Sequence, residues 1–279
     1  MTYRSIWPLG LAFLASLSGL PAHADLVFTA PPRESLAKAE EIYGPVISFL
    51  ATVTGQKVVF RNTDNWLSYQ DEMRKDKYDI VFDGPAFMGW RIVKLHHTAI
   101  LKVPGNLVFA VAVNKHQDKI RDIKGLTGRT LCGFPPPNLA TLAVMHEFDN
   151  PSRQPVVLET QSFKATYQDT VKGRCVGGIL QPKLLETMDS EAKALRVVYT
   201  SKPFPNQGMT VSPRVTPEIR NKIIQGMESP EGRVATQKLR DEFKGQDFVP
   251  AKDEEYVDHA KLLKDIWGFG LNDDTSKKP

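Results

Sequence analysis

Apolar and polar positions change period several times along this chain, and each change marks an element. Leu26 to Ala30 (LVFTA) is a short apolar run that stops at Pro31-Pro32, which reads as a strand feeding a loop. From Leu36 the spacing shifts to threes and fours through Ala39, Ile42, Tyr43, Val46, Phe49, Leu50 and Val53, an amphipathic helix with Gly55 as its stop signal. Lys57 to Arg61 (KVVFR) is β-branched and aromatic, a second strand. Asp64 or Asn65 can cap a short helix to about Lys75, and Tyr78 to Phe82 (YDIVF) forms a third strand ending at Asp83-Gly84-Pro85. Alternating strands and helices of this kind build a parallel α/β sheet with right-handed crossovers.

The same series then returns. Leu107 to Val113 (LVFAVAV) leads into a strand from Arg129 to Phe134, a helix from Asn138 or Thr141 to about Phe148, and a strand from Val156 to Glu159. A helix from Tyr167 to Lys172 and a strand from Cys175 to Leu180 complete it. Leu195 to Thr200 is one more strand. The remainder is helical over Pro217–Met227, Glu231–Phe243 and Tyr256–Trp267. That tail lacks a full α/β set and is expected to complete the first unit. The expected division is a first lobe of residues 25–108 and 205–271 and a second lobe of 109–204. Crossings between them fall near Val108–Val113 and Thr200–Gln207, as hinge candidates. Residues 272–279 are polar and expected to be disordered.

The N-terminus places the molecule. Arg4, an apolar run from Ile6 to Leu20, and Ala22-His23-Ala24 together form a secretory signal with cleavage expected after Ala24, hence a periplasmic location. The run is too short for a comfortable membrane span. Formal net charge is +4, part of it from Arg4, and no Lys/Arg stripe is present, so nucleic acid is not an expected partner. Cys132 and Cys175 are the only cysteines, both in apparent strands. In an oxidising compartment they suggest one disulfide. The alternative is a thiol pair for a soft metal or metalloid, although two thiols are too few for a closed zinc site. His96-His97 cannot face one metal from adjacent positions, and His146-Glu147 lacks the second His of a zinc helix. No metal site, cofactor or catalytic residue is therefore expected.

Ligands of open parallel sheets bind beyond the carboxyl ends of the strands, and many of those ends lead into helix N-termini that favour anions. Arg33 stands at the first such end, where its guanidinium can grip an oxyanion or remain solvated. Trp66 and Tyr69 share a helix face and can supply an indole N–H and a phenol O–H. Ordinary core packing competes with that role, more strongly for Trp66 than for Tyr69. Asp83 and Gly84 end the third strand, where Asp83 can accept from a ligand or cap the next helix. Asn138 and Thr141 are each either helix cap or ligand donor, and Asn206 is either a contact or a turn residue.

The segments TAPPRES (29–35), EIYGPVISFLATVTGQKVVF (41–60) and NWLSYQDEMRKDKYDIVFDGPAF (65–87), followed by the Gly-Arg strand of the second unit, resemble the phosphonate/phosphite/phosphate solute-binding proteins of ABC transporters. YDIVFDGPAF carries the likeness most strongly. The resemblance implies a type II periplasmic-binding fold with two mostly parallel sheets flanked by helices, two crossover hinges, and closure on a small anion. It further implies a monomer that delivers its ligand to an ABC permease or presents it to a membrane sensor kinase. This chain departs from the family at the second-lobe turn. The phosphonate binders hold the phosphoryl group there with a Ser/Thr-rich turn, whereas Gly133 to Thr141 reads GFPPPNLAT. Only Asn138 and Thr141 remain as donors, which points to a divergent or orphan member. A secreted hydrolase using Arg33, Tyr69 and Asp83 is the competing reading from another class.

Overall fold

The computed structural model describes residues 25–270; the expected leader (1–24) and the polar tail (272–279) lie outside the described residues. The first helical unit follows the pattern closely. Strand β1 (Leu26–Thr29) is followed by helix α1 (Leu36–Thr54), whose N-cap Ser35 accepts from the Lys38 N–H. Ala39, Ile42, Tyr43, Val46, Leu50 and Thr54 form the buried face of α1. Gly55 ends it in the left-handed region at φ 69°, a conformation that costs glycine little. Strand β2 (Val58–Phe60), helix α2 (Trp66–Arg74) and strand β3 (Ile80–Asp83) come next, with Asn65 rather than Asp64 capping α2.

Helix α3 (Pro85–Leu95) and strand β4 (Thr98–Lys102) then follow; the sequence predicts a helix after Asp83-Gly84-Pro85 without giving its extent, and its pattern does not mark β4. Eight consecutive α3 residues from Pro85 to Ile92 are buried, so the helix lacks the polar face that periodicity reads. Two-residue strand β5 (Asn106–Leu107) precedes β6 (Ala110–Asn114), splitting the apolar run LVFAVAV. The second α/β series is β7 (Thr130–Gly133), α4 (Leu139–Met145), β8 (Val156–Glu159), α5 (Phe163–Val171) and β9 (Gly177–Leu180). After it come α6 (Pro182–Met188), β10 (Leu195–Thr200), β11 (Phe204–Pro205) and β12 (Gly208–Val211). The tail contains α7 (Pro217–Glu228), α8 (Pro230–Ala235), α9 (Gln237–Asp241) and β13 (Val249–Pro250). The expected Glu231–Phe243 helix is thus two short helices broken at Thr236, and the expected final helix is a 3-10 segment, Val257–Leu263.

Two sheets result. The first runs β13-β4-β12-β3-β1-β2 and the second β10-β6-β9-β7-β8. Each holds a parallel trio with its earliest strand in the centre, β2-β1-β3 and β8-β7-β9. The remaining pairings are antiparallel, so both sheets are mixed rather than mostly parallel. The reason is the direction of entry. A strand that arrives from the other sheet starts at the end where the parallel trio finishes, so β6 and β12 must run the opposite way.

The first crossing lies just before the expected Val108–Val113, while the second falls within the expected Thr200–Gln207. Ala110–Asn114 is a strand of the second sheet, not a hinge. The chain passes between the sheets at β5 and β11, which pair antiparallel with Phe204 opposite Leu107. Asn206 ties this ribbon down, donating from Nδ2 to the Pro104 carbonyl at 3.2 Å and accepting the Gln207 N–H at 2.9 Å.

Cys132 and Cys175 are bonded, with Cα atoms 5.7 Å apart. Cys132 lies in β7, but Cys175 lies in the bend before β9, outside the strand expected to hold it. Both are buried, so neither offers a thiol to a metal. A single apolar core runs from Tyr69, Phe87 and Trp90, through Val111, Leu131 and Ile179, to Leu262, Leu263 and Phe269 of the tail. A second core lies under α1.

Candidate functional site

The carboxyl ends of both parallel trios face one cavity of about 630 Å³. From the first sheet's side it is lined by Arg33, Trp66, the Asp83–Phe87 strand exit and Gln207; from the other by Phe134–Ala140, Glu159, Gln161, Phe163 and Gln181. Leu107 and Phe109, beside the crossing, close one end.

The floor is organised around Asp83, which is fully buried. A buried carboxylate needs a charge partner, and Arg91 on α3 supplies it, donating from Nη1 at 3.1 Å and Nη2 at 3.2 Å. The Tyr69 hydroxyl also donates to Asp83, and the Gly84 N–H reaches its other oxygen at 2.6 Å. Burial, together with the Asp83 carboxylate, pushes the Tyr69 phenol well above its ordinary range, so it keeps its proton. Burial opposes the Arg91 charge, but Tyr69 and Asp83 outweigh it and hold that guanidinium charged.

Arg33 stands above this floor. It donates from Nη1 to Gln207 Oε1 at 2.8 Å, and its Nη2 is 3.8 Å from Asp83. Its side chain is 29% exposed, and Nη2 lies 3.8 Å from where a Cβ on residue 84 would sit. The guanidinium thus lies against Gly84, at the start of α3. There Pro85 has no N–H, and the N–H groups that follow are at the positive end of the helix. Arg91 holds one Asp83 oxygen closely and Arg33 pairs with the other only at 3.8 Å, so Arg33 still presents charge to the cavity.

Arg33, Trp66, Asp83, Gly84 and Asn138 line the cavity, whereas Tyr69, Thr141 and Asn206 do not. Tyr69 lies behind Asp83, stacked on Tyr78 with ring centroids 5.6 Å apart, while Trp66 is half-buried and stacks on Phe87 at 6.1 Å. The roles weighed for that aromatic pair are reversed, because the α2 face turned to the sheet carries Tyr69 rather than Trp66. Thr141 is buried and donates to the Phe134 carbonyl at 2.5 Å, bracing the proline turn from inside. Asn138 caps α4 by accepting the Ala140 N–H at 3.0 Å while facing the cavity. Asp83 does not cap α3, since its oxygens serve Arg91, Tyr69 and the N–H of the cap residue itself.

Residues absent from the sequence expectation also stand here. Glu159 ends β8, and Gln161 and Gln181 follow β8 and β9, so the strand-end rule applied to those two strands would have found them. Arg91 carried no such signal, being a cation in the middle of a helix whose extent the sequence pattern does not give. Among the described residues, no group of three or more His, Cys, Asp or Glu could hold a metal, and no helix is long and apolar enough to cross a membrane.

Two mixed α/β sheets joined by a paired double crossing, with a cavity between their strand ends, define a two-lobed binding protein of the type II periplasmic class. Among the solved structures that share the fold are these three. XAC2383 from Xanthomonas citri bound to ATP is 12% identical with a TM-score of 0.65, covering 87% of this chain and 99% of that one. PhnD1 from Prochlorococcus marinus in complex with methylphosphonate is 12% identical with a TM-score of 0.60, covering 86% and 97%. The PA3383 binding protein component of an ABC phosphonate transporter, from Pseudomonas aeruginosa, is 16% identical with a TM-score of 0.56, covering 85% and 84%. No curated protein sequence matches the chain. The profile of the ABC transporter, phosphonate, periplasmic substrate-binding protein family matches residues 28–256, and the chain belongs to that family. The family is one of periplasmic transport proteins rather than enzymes.

Proposed function

We propose that this protein captures a small oxyanion between lobe 1 (residues 25–108 and 205–271) and lobe 2 (109–204), and delivers it, unaltered and as a monomer, to an ABC permease. Export follows from the leader, with cleavage after Ala24. The observation that carries this reading is Arg33, a cation lining the cavity at the start of α3 and paired only at 3.8 Å with the buried Asp83, which Arg91 holds closely. A charged guanidinium and a helix N-terminus converging on one space suit a negative ligand. The engagement of Asp83 supports binding without turnover, because a hydrolase would need that carboxylate free as a base. Methylphosphonate bound to the structural relative PhnD1 agrees with the same chemistry.

Isothermal titration of protein purified from the periplasm tests this, against phosphate, methylphosphonate, phenylphosphonate, acetate and benzoate. At least one oxyanion should bind. Arg33→Ala should weaken it by about ten- to a hundredfold, the worth of a charged hydrogen bond. Binding that is indifferent to Arg33→Ala, or no binding by any oxyanion, would overturn the assignment.

A further inference from the structure

The cavity is much larger than a bare oxyanion requires, and most of its wall is apolar. A tetrahedral ion of five heavy atoms displaces about three waters, on the order of 100 Å³. The space here is about 630 Å³. Beyond Arg33 the walls carry Trp66, Phe87, Phe109, Phe134, Leu139 and Phe163. These side chains face each other across the gap from both sheets. On one side Trp66 and Phe87 lie stacked, with planes 20° apart; on the other Phe134 and Phe163 meet edge to face at 5.1 Å. The turn that separates Phe134 from Leu139 is Pro135-Pro136-Pro137-Asn138, which adds further apolar surface where hydroxyls would otherwise solvate an anion. If phosphate alone were bound, the remaining space would hold water; Asn138, Glu159, Gln161, Gln181 and Gln207 offer it partners at one part of the wall, but along the aromatic walls such waters lack them, which is unfavourable. Cavities of this size and lining hold organic molecules that bury most of their surface.

We propose that the ligand is an organic oxyanion with a flat apolar body, its charged head at Arg33 and the start of α3 and its body between the Trp66–Phe87 and Phe134–Phe163 pairs. This rests on the oxyanion reading above and narrows it. Inorganic phosphate and methylphosphonate are then poor ligands, because they fill only the charged end.

Titration with phenylphosphonate, benzoate, methylphosphonate and phosphate decides the matter. Phenylphosphonate or benzoate should bind at least about tenfold more tightly than methylphosphonate or phosphate, the effect expected from burying one aromatic ring. In Phe134→Ser and separately in Trp66→Leu, the ratio of phenylphosphonate to methylphosphonate affinity should fall at least about fivefold, with circular dichroism confirming the fold. If methylphosphonate or phosphate binds as tightly as the aryl ligands, the organic body is wrong while the oxyanion site stands. If none of the four binds, both readings fall together. If the ratio in both variants equals that of the unmodified protein, the aromatic walls do not hold the body and the placement is wrong.

Discussion

Arg91 sits fully buried on a helix with Asp83 fully buried opposite, and each is tolerable only because of the other. Removing one partner strands a charge in the interior, which typically costs about 3–5 kcal/mol. Arg91→Leu should therefore lower the free energy of unfolding by about that much, measured by urea denaturation. A loss below about 1 kcal/mol would mean that water reaches the pair. A second buried group gives the fold a pH dependence. Burial, helped by the Arg91 and Arg214 cations, pushes the His97 imidazole down to about 2. Asp76 Oδ1 is 3.7 Å from Nε2, beyond hydrogen-bond reach, while the other Asp76 oxygen serves Arg214, so this carboxylate does not restore the charge. The unfolded ring takes its proton below about 6.5, whereas the folded ring stays neutral to about 2. Between those values the unfolded state binds the extra proton, so stability falls as pH drops below about 6.5, by up to about 1.4 kcal/mol per pH unit. His97→Gln should flatten the slope of unfolding free energy between pH 6 and pH 4. An unchanged slope would show that His97 is not its source.

Elements were legible by two signals. Helix α1 lies where its three- and four-residue spacing puts it, because it has a buried and a wet side, whereas β1, β2 and β3 were legible as short apolar runs bounded by turn residues, β3 being buried throughout. Helix α3 has no wet side along most of its length, so its start after Asp83-Gly84 could be read but not its extent. The final 3-10 segment is held against α3 by tertiary packing, with Tyr256, Ala260, Leu262 and Leu263 buried. Its apolar spacing could not announce its tighter helical type. The disulfide also acts at this scale. It pins β7 to the bend entering β9 and closes a separation of 43 residues. In the chain-entropy model such a loop is worth about 4 kcal/mol, so replacing both cysteines by serine should lower stability by roughly that amount. A matching loss on reduction of the unmodified protein would trace the effect to the bond rather than to the new hydroxyls.

For the whole molecule, the paired crossing β5–β11 is the narrow link about which two lobes can close. Closure on ligand should raise the melting temperature and shrink the radius of gyration. At a hundredfold excess over Kd the gain is about 2.7 kcal/mol, which for a chain of this size corresponds to about 2–4 °C per kcal/mol. Small-angle scattering with and without phenylphosphonate measures the compaction; a thermal shift without any change in size would mean that the ligand enters an already closed form. The repeated α/β series and the positions of the strand ends follow from local pattern, because hydrophobic period and turn residues are properties of neighbouring residues. On that basis Arg33, Asp83, Gly84 and Asn138 could be placed near one cleft from sequence alone. The tertiary structure decided what those residues do. It matched Asp83 with Arg91, turned Trp66 to the cavity and Tyr69 away from it, and brought Phe134 and Phe163 across from Phe87. Those pairings join residues remote in sequence, and their geometry depends on how two sheets meet, which no local period encodes.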